Sequence, residues 1–99
     1  MALDITHYEF FKKLTELPFI DEIWLYGSRA RGTHSERADI DLAILGEFID
    51  YKQWFLVQDI IEDADTLLQI DCINFNLIKN ENFKKNILND KKILFKRKI

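Results

Sequence analysis

Gly27-Ser28 and Asp39-Ile40-Asp41 are separated by ten residues, among them Arg29, Arg31 and Arg37. Backbone N–H groups after a glycine and a serine hydroxyl suit phosphate oxygens, and guanidinium groups add positive charge and paired donors. Carboxylates two apart on a strand project from one face, so close that joint ionisation is costly unless a cation lies between them. Hard oxygen ligands of this kind select Mg²⁺ or Mn²⁺, ions that also take phosphate oxygens and water. Further along, Asp71 sits in an alternating apolar stretch beside Ile73 and Phe75, where a charge is expensive unless it lies at a sheet edge or meets a cation. If Asp71 converges with Asp39 and Asp41, the three could hold two ions about 3.5 to 4 Å apart, one acidifying an attacking hydroxyl and the other neutralising a leaving pyrophosphate. Ser28 and the N–H groups after Gly27 would meet the terminal phosphates, with Arg29, Arg31 or Arg37 adding charge. Taken singly, Gly-Ser is a common turn and Asp-x-Asp a common way to begin a strand. Their joint occurrence with a basic segment between them and a third aspartate later has few structural explanations. There is no Gly-Lys-Ser/Thr of a P-loop, and Gly27-x4-Gly32 does not give the dinucleotide fingerprint.

These residues need strands and turns to position them, and the sequence supplies both. Thr6-His7-Tyr8-Glu9 fits a capping box with Ile5 and Phe10 as its hydrophobic staple, so a first helix is expected from about Thr6, its apolar stripe carried by Tyr8, Phe11 and Leu14 and stopped by Pro18. Glu22 to Tyr26 reads as a buried strand running straight into Gly27, and Ser28 to Thr33 is short and helix-compatible. A second strand is expected over Asp39 to Leu45, closed by Gly46. Asp50 with Gln53, stapled by Ile49 and Trp54, should cap a helix to about Leu67. That helix would turn Trp54, Val57, Ile61, Ala64 and Leu68 to the core, with Phe55 and Ile60 beside them, and leave Asp59, Glu62, Asp63 and Asp65 in solvent. Gln69 to Phe75 alternates as a third strand, Asn80 caps a last helix to about Leu88, and Lys92 to Lys96 has the charged ends of an edge strand. The expected fold is α/β: one domain over residues 1–99, with a small mixed sheet, helices packed against it, and the nucleotide at the edge where strands one and two end.

Composition narrows the function. The 99 residues are 47% apolar and 13% aromatic, enough for one core and unlike a disordered chain. No apolar run reaches the roughly 20 residues of a membrane span, and Met1 to Thr6 lacks a signal-peptide profile, so a cytoplasmic protein without a membrane is expected. Residues 1–78 carry 6 basic and 15 acidic side chains, whereas 79–99 carry 8 and 2. Such an acidic body offers no electrostatic track for nucleic acid. Cys72 is the single cysteine and lacks a paired histidine, which points to a small core residue. His7 and His34 read as surface and loop residues, Trp24 and Trp54 as core.

Gly27-Ser28, residues 29–38 and Asp39-Ile40-Asp41 together match, without departure in spacing, the signature of the minimal nucleotidyltransferases of the DNA polymerase beta superfamily, which this chain resembles over nearly its whole length. The resemblance implies that Asp39 and Asp41 ligate both metals, that Asp71 is the third carboxylate and serves the attacking hydroxyl, and that Gly27 and Ser28 bind the triphosphate of ATP. It further implies an all-helical HEPN-type toxin as partner, the chain acting as its antitoxin by moving AMP from ATP to a tyrosine of the toxin. With no second domain expected, the acceptor site would come from that partner in a hetero-oligomer or from a second copy in a homodimer. Two other functions fit the same residues: transfer to a small hydroxylated acceptor such as an aminoglycoside, and non-enzymatic neutralisation of a toxin by occlusion.

Overall fold

The structure, a computed structural model, describes residues 4–98. Four strands form one sheet in the order β3-β2-β1-β4, where β1 is Glu22–Tyr26, β2 Ile40–Leu45, β3 Ile70–Asn74 and β4 Lys92–Lys96. β1 runs antiparallel to β2 and β4, while β2 and β3 are parallel. A parallel pair needs a crossover. Here it is α3, Tyr51–Glu62. The remaining helices are α1 (Glu9–Thr15), α2 (Gly27–Arg31) and α4 (Glu81–Asp90).

Strand alternation divides the apolar residues between two faces. On one, Ile23, Leu25, Ile40, Leu42, Ile44 and Ile70 meet Phe10, Phe11 and Leu14 of α1 and Val57 of α3. Leu14, Ile23, Leu42, Ile44 and Val57 are fully buried, each contributing roughly 2 kcal/mol. On the other face Trp24, Tyr26 and Ala43 pack with Ile87 of α4. Trp24 and Cys72 thus join the core as expected, Cys72 with its thiol pushed up to about 12 by burial. Trp54 packs half-buried against it. The expected caps at Asp50–Gln53 (2.8 and 2.9 Å) and Asn80 (3.0 Å to the Phe83 N–H) are present.

Three expectations for the helices fail. The first helix does not start at Thr6, because the Thr6 hydroxyl donates to Asp4 (2.6 Å) within a separate 3₁₀ turn, Ile5–His7, and the chain is extended at Tyr8. The N-terminus of α1 is capped instead from far along the chain, by the Asp65 carboxylate, which accepts from the Glu9 and Phe10 N–H groups at 3.0 and 3.1 Å. Those bonds, led by the one from Glu9, hold the Asp65 carboxyl below its ordinary range. α3 accordingly ends at Glu62, short of Leu67, releasing the segment that delivers Asp65. Asp59, Glu62 and Asp63 near its C-terminus also oppose the helix dipole, and no basic residue offsets them there. Phe55, expected beside the core-facing stripe, is exposed on α3.

Candidate active site

Strand register builds the site. Asp41 of β2 is paired with Tyr26 of β1 on one side and Asp71 of β3 on the other, so a phenol and two carboxylates lie in one row across three strands. Residues so paired face the same side of a sheet. Asp39 lies just before β2, which begins one residue later than expected. Asp71 is on the edge strand, the position that makes a charge tolerable there.

The chain turns from β1 into α2 at Gly27, whose φ is +75°. A Cβ at that position would overlap the Asp41 carboxylate. Asp41 is therefore pressed against the turn that carries Ser28, and the expected phosphate end and carboxylate end of the site adjoin. The short helix closes at Gly32, φ +78°, whose N–H bonds the Ser28 carbonyl.

Electrostatics at the row are unbalanced. Burial, the neighbouring charges of Asp71 and Asp39, and a side-chain hydrogen bond with Asp71 push the Asp41 carboxyl above its usual range, with Arg29 opposing the shift. The Tyr26 phenol is pushed up to about 12, first by burial and then by Asp41 and Asp71, and stays a neutral donor. Among the described residues no three His, Cys, Asp or Glu side chains close by themselves into a metal cage. The donor chemistry nevertheless fits a hard divalent ion, since a cation at this row would relieve the repulsion that raises Asp41.

The three arginines separate. Arg29, expected at the phosphates, is buried and spends its guanidinium on backbone carbonyls: Nε donates to Ala38 (3.1 Å) and one terminal nitrogen to Glu36 and Ala38 (3.1 and 2.8 Å). It ties α2 to the loop that ends in Asp39, which makes it a positioning residue. Arg31 is paired with Asp90 of α4 at 2.6 Å. Arg37 is exposed on the loop. Arg29→Lys, which keeps the charge but loses the planar fork, is expected to lower kcat/KM about 100-fold by releasing Asp39. Steady-state kinetics check this, and wild-type values would refute the tie. Sequence reading missed the Tyr26 contribution, although its place immediately before Gly27 was the available signal.

A small mixed sheet that brings a Gly-Ser turn and two strand-borne carboxylates together defines a nucleotidyltransferase. Residues 9–99 match the family described as polymerase beta, nucleotidyltransferase, and the chain belongs to it. A Methanocaldococcus jannaschii protein named as a candidate protein adenylyltransferase is 32% identical over 80 residues, 80% of this chain and 81% of the relative. Among solved structures, a toxin–antitoxin crystallised with AMP-PNP is 25% identical with a TM-score of 0.66, covering 87% of this chain and 69% of the other. A tri-AMPylated Shewanella oneidensis HEPN toxin in complex with MNT antitoxin shares the fold at 22% identity and a TM-score of 0.57, with the same coverage of 87% and 69%. No helix among the described residues is long and apolar enough to cross a membrane.

Proposed function

We propose that this protein transfers AMP from ATP to a hydroxyl of a partner protein in the cytoplasm, as the antitoxin of a HEPN toxin–antitoxin pair with which it forms a hetero-oligomer. The observation that carries the reading is the pairing of Asp41 with Asp71 beside the Gly27 turn. The names of the Methanocaldococcus relative and of the AMPylated HEPN complex support the choice of AMP and of a protein acceptor.

Gly27 and Ser28 bind the triphosphate through backbone N–H groups and a hydroxyl, orienting the α-phosphorus toward the carboxylates. The acceptor oxygen attacks that phosphorus, the bond to the β-phosphate bridging oxygen breaks, and pyrophosphate leaves. Asp71, exposed on the edge strand, takes the acceptor proton. Asp39, Asp41 and Asp71 are the residues that would hold two Mg²⁺ or Mn²⁺ ions, which supply neutralising charge and a more acidic acceptor hydroxyl when bound.

Incubation with α-phosphate-labelled ATP, Mg²⁺ and the HEPN protein encoded beside it is expected to label that protein. Absence of label from the partner overturns the reading. Label appearing on an aminoglycoside without any partner would place the activity among small-molecule transferases, and full neutralisation by the Asp39→Asn, Asp41→Asn double variant would show occlusion.

A further inference from the structure

The row across the sheet has a member that the transfer chemistry above leaves unused. Tyr26 occupies the β1 end of it, paired with Asp41 and followed directly by Gly27-Ser28. Its ring is fixed, standing edge-on to Phe83 of α4 with centroids 5.9 Å apart and packing beside Trp24, Ala43 and Ile87. Only 9% of the residue is exposed. Its hydroxyl makes no hydrogen bond with any described residue, yet no buried side-chain nitrogen or oxygen among them lacks a partner. The Tyr26 oxygen is thus not sealed in the core, although most of the side chain is. A phenol in a fixed ring, with a free donor at the edge of a site, is preorganised to bind a ligand there. Its neighbour in the row, Asp41, does not take that donor, and the Asp41 carboxylate lies against Gly27.

Resting on the nucleotidyltransferase reading, we infer that the Tyr26 hydroxyl is a further contact of the nucleotide, donating a hydrogen bond to an oxygen of its phosphate chain. The position selects phosphate over the acceptor. Tyr26 is contiguous with the Gly27-Ser28 turn, whereas Asp71, the residue that meets the acceptor, lies at the far end of the row. A phenol is a directional neutral donor, and a phosphate oxygen is a charged acceptor that rewards it more than a neutral one would.

Tyr26→Phe removes the hydroxyl and keeps the ring against Phe83. Calorimetric binding of ATP with Mg²⁺, measured without any partner, is expected to weaken about tenfold or more in this variant. Its Tm should match the wild type, and in the transfer reaction the KM for ATP should rise while the KM for the acceptor protein does not. A residue with a purely structural part would instead lower the Tm and leave ATP affinity unchanged. Tyr26→Leu, which also abandons Phe83, is expected to lose stability in addition to affinity. If Tyr26→Phe binds ATP as tightly as the wild type, the inference is overturned and the transferase reading stands. A wild type that binds no ATP removes both.

Discussion

Asp41→Asn is expected to reduce AMP transfer about 10³-fold, the loss typical of a group aimed at developing charge in a transition state, while raising the Tm of the metal-free protein at pH 7. The two effects share one cause. Asp41 is partly buried with Asp71 and Asp39 as like-charged neighbours, and its folded-state carboxyl is raised above the ordinary carboxylate value. A raised carboxyl favours the folded protein when protonated, so its contribution is complete below that value and is lost as pH rises through the folded pKa. Wild-type stability without divalent ions should therefore decline over this window, and the asparagine variant should decline less. Mg²⁺ should raise the wild-type Tm by binding the folded state and leave the variant nearly unmoved. Scanning calorimetry across pH, with and without Mg²⁺, checks all three. A variant less stable than wild type at pH 7, or one that retains transfer, would sink this account of the site.

Gly27→Ala is expected to be the most damaging substitution outside the carboxylates. Its φ of +75° lies in the left-handed region, and the added methyl would occupy the place of the Asp41 carboxylate. Strain and displacement together should cost about 1 to 3 kcal/mol of stability, and moving Asp41 should lower kcat/KM about 100-fold. Gly32 separates the two causes. It has nearly the same φ, +78°, but nothing within 4 Å of an added Cβ. Gly32→Ala should accordingly share the backbone cost and keep its activity. Denaturant melts and kinetics on the pair decide the matter, with equal activity losses refuting the collision.

The difference between the two glycines shows where sequence reading reaches its limit. Gly27-Ser28 and Asp39-x-Asp41 were legible because chemistry imposes their residue types and spacing, and the strands were legible because apolar alternation is local. Asp71 was legible as an anomaly: a charge among Ile73 and Phe75 needed an edge or a cation, and the fold supplies the edge. Asp65 was not, because its partners, the Glu9 and Phe10 N–H groups, lie 56 and 55 residues away. Thr6 misled for a related reason, since Asp4 competes locally for the hydroxyl that a capping box requires. The basic residues of the turn looked alike in sequence, and only the path of the loop at Glu36 and Ala38 makes Arg29 a brace instead of a phosphate ligand.

Asp71 rides on a strand whose backbone is paired on one side only. Among the described strands β3 pairs only with β2, and a parallel pairing is the less stable kind per residue. Detachment of five residues, Ile70–Asn74, would remove the carboxylate that the proposed reaction assigns to the acceptor while β1, β2 and β4 keep their own pairings. A local opening at the margin of the sheet would then be enough to silence the proposed transfer. Any chain that docks along β3 and holds it in place would act as an activator without contributing a single reacting atom.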